Sequence, residues 1–266
     1  MNVAAVAVAR NEENMIGQTL RSLLDQTIPV DMVLLDDGSI DETPTIAREL
    51  GIPVISLPYH SDSYVGRPEL ALRVNIGVNY TRRYCPDYVM HTGGDHIFPP
   101  DYCETLIEKM ETEDGVVVAS GSIWGMKRND TAPLGSGRMI DAHWWEEVHQ
   151  MTYPIHEGWE SWIVFKAQMM GLKTRCFPEP LSEGRPVAMN SRKARGWGRG
   201  MYALGFHPVH AALRSLLVAT KNPRNGTAML KGYLFHDGVG RLDTAEYLYE
   251  YQKRTLPGAV RRRIRL

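Results

Sequence analysis

The chain has 266 residues, 43% of them hydrophobic and 23% charged, with 30 Lys and Arg against 31 Asp and Glu for a formal charge of −1. These values exclude wholesale disorder and fibrous structure and allow one large or two small domains. The near-neutral total averages two unlike parts: residues 1–184 hold 14 Lys and Arg against 27 Asp and Glu, whereas residues 185–266 hold 16 against 4, an acidic body followed by a basic tail.

Val3 to Ala9 is a short apolar run that reads as a buried first strand. It lacks the basic flank before it and the small-residue cleavage site after it that a secretory leader needs. Glu13 to Gln26 places Ile16, Leu20, Leu23 and Leu24 at helical spacing. Met32 to Leu35 is a second strand, cut off by Asp36-Asp37-Gly38-Ser39. Thr43-Pro44 reads as an N-cap followed by proline in the first turn, with Gly51 closing that helix. Ile52 to Leu57 is a third strand, Glu69 to Arg83 a helix, and Asp87 to Met90 a fourth strand running into His91-Thr92-Gly93-Gly94-Asp95. Pro99-Pro100 opens another helix before the strand Val116 to Ala119. Strands alternating with helices predict an α/β fold, a mainly parallel, Rossmann-like mixed sheet with helices on both faces. Trp159 to Met170 is then a helix closed by Gly171, and Lys173 to Phe177 a short strand. Beyond Arg185 strand signals stop, and helix patterns return at His210 to Thr220, Thr227 to His236 and Thr244 to Arg254. The expected organisation is a body at 1–184 with a basic helical extension at 185–266 packed on it.

Cys85, Cys103 and Cys176 form no CxxC pair, so neither a zinc site nor a disulfide framework is readable. The expected location is cytoplasmic, with peripheral attachment to the inner face of the membrane left open, since no run of 18 apolar residues predicts a spanning helix. Both GxGxxG after the first strand and GxxxxGK[ST] are missing, which argues against a dehydrogenase or a P-loop enzyme.

Ligands of open parallel sheets collect at the carboxyl ends of strands. Three polar clusters stand there: Asn11-Glu12, Asp36-Asp37-Gly38-Ser39 and Gly93-Gly94-Asp95-His96. Each alone reads equally as an Asx turn or a helix cap. Three on one rim, without a glycine-rich phosphate loop, suggest a phosphorylated ligand bridged by a divalent cation.

Here the chain resembles a known family. Val8-Ala9-Arg10-Asn11-Glu12-Glu13 with Ser22-Leu23-Leu24-Asp25-Gln26-Thr27 is similar to the opening of family 2 glycosyltransferases of the GT-A fold, in the nucleotide-diphospho-sugar transferase superfamily. Asp36-Asp37-Gly38-Ser39-Ile40-Asp41-Glu42-Thr43 matches that family's DDGSxDxT segment, and Ala71-Leu72-Arg73-Val74-Asn75-Ile76-Gly77 its ARNxG-type helix. Gly93-Gly94-Asp95 through Pro99-Pro100-Asp101-Tyr102 looks like the metal-binding DxD segment, Gly135-Ser136-Gly137-Arg138 stands where the donor-sugar loop falls, and Trp159-Glu160 occupies the "ED" position eleven residues before Gly171. The resemblance covers about residues 1–185.

It implies a metal-dependent, inverting transfer of a sugar from a nucleotide-diphospho-sugar donor to the hydroxyl of a saccharide or lipid-linked acceptor. Asp37 would accept a nucleobase N–H, with Asp36 or the backbone near Val8 holding the nucleoside, and Asn11, Glu12, Gly137 and Arg138 would line the donor site. Asp95 would bind Mg²⁺ or Mn²⁺ on the diphosphate. Arg73 would pair with phosphate or stand as a solvated charge. Glu160 would be the general base, with Glu157 a competitor. Two departures stand out: Gly93 replaces the first DxD carboxylate and Trp159 the first acid of the pair. His91 and His96 would touch metal or phosphate or simply be satisfied polar groups. Trp144, Trp145, Trp159 and Trp162 would stack on an acceptor or lie in the core. A nucleotidyltransferase of related fold and a non-catalytic nucleotide-sugar binder are the alternatives.

In the tail, Arg192-Lys193-Ala194-Arg195-Gly196-Trp197-Gly198-Arg199-Gly200 reads as a flexible cationic loop, either solvated or a lid over the diphosphate. The later helices mix Leu, Ala and Tyr with Lys and Arg, which suits an anionic membrane surface or a cap on the acidic body. No nucleic-acid motif accompanies the charge.

Overall fold

A computed structural model describes residues 1–185 and 188–264, with side chains through residue 256. The chain divides into two compact units built from interleaved segments: Met1–Ser63, Leu72–Tyr153 and Met170–Pro186 form the first, and Tyr64–Ala71, Pro154–Met169 and Val187–Leu266 the second.

The first unit is α/β. Its elements are β1 (Val3–Ala9), α1 (Ile16–Leu24), β2 (Val30–Asp36), α2 (Thr43–Glu49), β3 (Val54–Ser56) and the Leu72 onward part of α3 (Pro68–Thr81). They continue with β4 (Tyr88–Gly93), β5 (His96–Ile97), α4 (Tyr102–Thr112), β6 (Val116–Ile123), β7 (Arg138–Asp141), α5 (Ala142–His149) and β8 (Lys173–Gly184). The eight strands run in the order β3-β2-β1-β4-β7-β6-β8-β5. β1, β2, β3 and β4 are mutually parallel and β6 is parallel to β8, whereas β7 is antiparallel to both its neighbours and β5 to β8. β1 is almost wholly buried because its small and β-branched side chains meet protein on both faces. α1 buries Ile16, Leu20 and Leu23 against this core, with Leu34, Met90, Leu106 and Met139.

Two details depart from the sequence reading. β8 does not stop at Phe177 but continues through Pro178 and Pro180 to Gly184. The β6–β8 pairing shifts register between Ser120 and Ser122, so the prolines fall where no ladder N–H is needed. Gly121 serves the same irregularity, since a Cβ there would lie 2.2 Å from the Pro180 carbonyl oxygen. β7 and α5 carried no readable signal: β7 offers only Met139 and Ile140 as an apolar pair, and α5 is capped by Asp141, whose side chain accepts the Trp144 N–H.

The second unit is helical: α6 (Trp159–Met169), α7 (Ser191–Ala203), α8 (Pro208–Lys221), α9 (Pro223–Leu234) and α10 (Ala245–Ile264). Residues 192–200, read above as a flexible loop, either solvated or a lid, are instead the body of α7, capped by Asn190 on the Lys193 N–H. Their glycines serve close packing. A Cβ on Gly198 would lie 2.0 Å from the Met229 carbonyl oxygen, and one on Gly232 2.1 Å from that of Arg195, so α7 and α9 meet backbone to backbone. The arginines of α7 are engaged too, Arg199 with Glu157 at 3.3 Å and Arg195 with Asp237 at 3.1 Å. Ala194, Met201, Ala211, Met229 and Tyr233 form this unit's core. The Arg261–Arg265 run lies beyond the described side chains.

Candidate functional site in the first unit

Register alone brings the polar clusters together. Ala9 pairs with Asp36 and Val8 with Gly93, so the carboxyl ends of β1, β2 and β4 finish level at one rim. The loops there are laced to one another. Asn11, at φ +53°, a conformation asparagine tolerates, accepts the Ile40 N–H through Oδ1, while its own N–H donates to Ser39 Oγ. The Glu12 N–H donates to Thr43 Oγ1 at 2.7 Å, so this hydroxyl fastens the β1 loop and does not cap α2 as the sequence suggested. Asp36 is buried and accepts the Ser39 N–H at 2.9 Å, which shapes the Asp-Asp-Gly-Ser turn. Gly38, at φ +76°, has Pro58 and Tyr59 backbone within 2.9 Å of where a Cβ would be.

Asp37 is the buried carboxylate at the centre of this rim. Its Oδ1 accepts from Arg73 Nε at 2.9 Å and faces His60 Nε2 at 3.1 Å. Arg10 holds His60 in turn, through His60 Nδ1 at 3.0 Å and the backbone carbonyls of His60 and Asp62. Arg73 is thus not a solvated charge. The rest of its helix is structural: Asn75 exchanges two hydrogen bonds with the backbone of Tyr153, and a Cβ on Gly77 would lie 2.3 Å from Val6 Cγ1.

Glu12 and Asp95 converge on one guanidinium, that of Arg185 just after β8. Arg185 Nε donates to Asp95 Oδ2 at 2.9 Å and its terminal nitrogen to both Glu12 oxygens. The hydrogen bond to Asp95 holds Arg185 further into its charged state than usual. Among the described residues no three His, Cys, Asp or Glu side chains gather into a metal cage. Two carboxylates already sharing one cation nonetheless fit a Mg²⁺ or Mn²⁺ ion that takes its remaining ligands from diphosphate and water.

Ser136 organises the neighbouring loop, meeting Thr92 Oγ1 at 3.0 Å, the Gly93 N–H at 3.1 Å and His96 Nδ1 at 2.7 Å. His96 also meets Ser182 Oγ at 2.6 Å, and burial pushes its pKa down to about 4. Burial likewise pushes His91 down to about 3. Both imidazoles are neutral parts of the fold. Gly137, at φ +76°, has room for no side chain, since a Cβ there would lie 2.6 Å from Tyr102 Oη. Arg138 is buried in β7, its guanidinium donating to the carbonyls of Leu134 and Pro133.

In the second unit, Glu160 lies exposed in the first turn of α6. Glu157 is buried, and burial raises its carboxyl pKa against the opposing pull of Arg199. Trp144, Trp145, Trp159 and Trp162 are all core residues, and Trp162 Nε1 donates to Asp243 at 2.6 Å. One exposed aromatic side chain is a residue the sequence reading passed over. Trp124, 75% exposed at the carboxyl end of β6, borders a hollow of about 550 Å³ with Met126, Arg128 and Leu181. Its backbone N–H donates to the Ser182 carbonyl at 3.0 Å, and Ser182 Oγ meets His96 Nε2 at 2.6 Å. Arg10, His60 and Arg185 were also missed. Arg10 lies inside the first motif and carried a signal, whereas His60 and Arg185 meet their partners only through the fold.

The family model described as glycosyl transferase family 2 matches residues 5–173. The 4,4'-diaponeurosporenoate glycosyltransferase of Staphylococcus aureus strain USA300 is 33% identical over 107 residues, 40% of this chain and 27% of that protein. That of the bovine strain RF122 is 31% identical over 114 residues, 42% of this chain and 29% of that protein. The match thus spans less than a third of the curated relatives' length. Among solved structures, the mannosyltransferase PcManGT of Pyrobaculum calidifontis in complex with GDP-Man and Mn²⁺ has a TM-score of 0.59 at 16% identity, over 96% of this chain and 80% of that one. S. aureus TarS 1–349 in complex with UDP has a TM-score of 0.58 at 13% identity, over 88% and 71%. At such identities the likeness is one of fold.

Proposed function

The chain belongs to glycosyl transferase family 2, and on that premise we propose that it moves a sugar from a nucleotide-diphospho-sugar to an acceptor hydroxyl, inverting the anomeric centre. The observation behind this is the single rim on which Asp37, Glu12 and Asp95 stand, set by the registers of β1 with β2 and β4. Asp37, oriented through Oδ1 by Arg73 and His60, would receive a nucleobase N–H on Oδ2. The backbone at Val8 and the turn built by Asn11 and Asp36 would hold the nucleoside. Asp95, with Glu12 beside it, would hold Mg²⁺ or Mn²⁺, which when bound neutralises charge on the departing nucleoside diphosphate. Gly137 would let the donor loop turn at positive φ, and Arg138 would act from behind by fixing the 133–137 loop. Trp124 offers an open ring face for a saccharide or lipid-linked acceptor.

In the transfer, the acceptor oxygen forms its bond to the anomeric carbon as the carbon–phosphate oxygen bond opposite breaks. The acceptor proton passes to the Glu160 carboxylate and the pair of the broken bond leaves with the diphosphate. A diphosphate-release screen across UDP-, GDP- and dTDP-sugars, with thermal shift read in parallel and with and without Mn²⁺, tests this. Release from one donor, lost in Asp37→Ala, is expected. A thermal shift without release in the presence of an acceptor panel would leave only a sugar-nucleotide binder, and neither signal with any donor would sink the reading.

A further inference from the structure

We propose that the hairpin of α8 and α9 is the face by which this chain docks on an anionic lipid bilayer. The sequence pointed to lipid only through the tail as a whole; the exposed side chains single out two helices. Along α8, Val209, Ala212, Leu216 and Thr220 follow at three- and four-residue steps and all are exposed, with Leu217 on their flank. Leu216 is 63% exposed, while the other side of the same helix buries Ala211 and Ser215. Scattered surface hydrophobics need no explanation, but Val209, Leu216 and Leu217 exposed together on one helix do. α9 adds the charge. Arg224, Thr227 and Lys231 run along its exposed side and border, with Ser191, an open hollow of about 480 Å³, and the helix ends in exposed Leu234 and Phe235.

Charge identifies the partner. From residue 188 to residue 236 there are eight Lys and Arg and no Asp or Glu, and among the eight Arg195 and Arg199 are those held above by Asp237 and Glu157. A hairpin with exposed apolar side chains on one helix and exposed cations on the next matches a leaflet, where leucines enter the headgroup boundary while lysines and arginines meet anionic phosphates. A second copy of the chain would set one cationic face against another. Nucleic acid would satisfy the charge but leave the leucines in water. Among the described residues no helix is long and apolar enough to cross a membrane, so the contact is one of surface insertion. The inference goes beyond the donor chemistry and does not depend on it.

The test is co-sedimentation of the full chain with phosphatidylcholine vesicles with and without phosphatidylglycerol. Binding to the anionic vesicles alone, weakened by added salt, is expected. Replacing Lys221, Arg224 and Lys231 together by Gln should lower the partition coefficient about 100-fold, at roughly fivefold per cation. Leu216→Ser with Leu217→Ser should lower it about tenfold or more. Both variants should keep the parent melting temperature, because the replaced side chains are exposed. No sedimentation of the intact chain, or sedimentation indifferent to both variants, overturns the proposal. So does a dimer in light scattering that the leucine variant dissociates, or binding to single-stranded RNA in place of vesicles.

Discussion

Glu12 and Asp95 each place a negative charge at a strand end, and the guanidinium of Arg185 lies against both. An arginine in that position competes with any divalent cation for the same oxygens. Arg185→Gln should therefore tighten Mn²⁺ binding in the absence of nucleotide by about tenfold, the combined worth of two partly exposed ion pairs. Calorimetric titration with Mn²⁺ reads this directly, and an unchanged affinity would mean that Arg185 does not stand where the metal goes. The general base is a second question settled at single residues. Glu160 is exposed, whereas Glu157 is buried, paired with Arg199 and shifted toward its protonated form by burial. Glu160→Gln should keep donor affinity and slow transfer roughly 100- to 10,000-fold. If Glu157→Gln does that instead, the assignment moves three residues upstream. At this scale the sequence named Asp37, Asp95 and Glu160, but not His60 or Arg185, because the 90 residues between Asp95 and Arg185 leave no local pattern joining them.

Among elements, α7 shows how composition misleads when geometry is unknown. Three glycines and four cations in nine residues suggest a flexible loop, yet they form a capped helix packed against α9. Glycine lowers helix propensity by about 1 kcal/mol relative to alanine, so these positions are held by what they touch. The touching differs from one glycine to the next, which makes a sharp test. A Cβ on Gly198 would lie 2.0 Å from a backbone oxygen of α9, whereas one on Gly196 would meet nothing closer than 3.8 Å. Gly198→Ala should cost about 1–3 kcal/mol or more in urea unfolding. Gly196→Ala should be neutral or stabilise by up to about 1 kcal/mol. Equal effects at both positions would return the segment to a loosely packed state. β7 and α5 escaped notice for the opposite reason, being too short to display a period.

For the whole molecule, the formal charge of −1 conceals the acidic and basic segments, but acid sensitivity depends on buried imidazoles instead. His91 is neutral in the folded chain, its pKa pushed down to about 3 by burial, while an unfolded histidine titrates near 6.5. Between those values the unfolded state binds the proton and the folded state does not, so stability is full above about pH 6.5 and falls as the pH drops toward 3. Urea midpoints should show a loss of about 2–3 kcal/mol between pH 7 and pH 4.5, narrowed in His91→Asn. A pH-independent midpoint would show that His91 protonates without cost. The α/β class, the order of the first strands and helices, and the three carboxylate clusters were all legible in the sequence. They depend on local periods, on caps and on turn residues that act within a few positions of themselves. Tertiary structure decided the rest: which strands lie antiparallel, that Ser136 and His96 fix a loop, that one guanidinium spans Glu12 and Asp95, and that glycines in α7 are contacts. Each of those depends on side chains tens of residues apart arriving at one point, and a linear pattern carries no record of that distance.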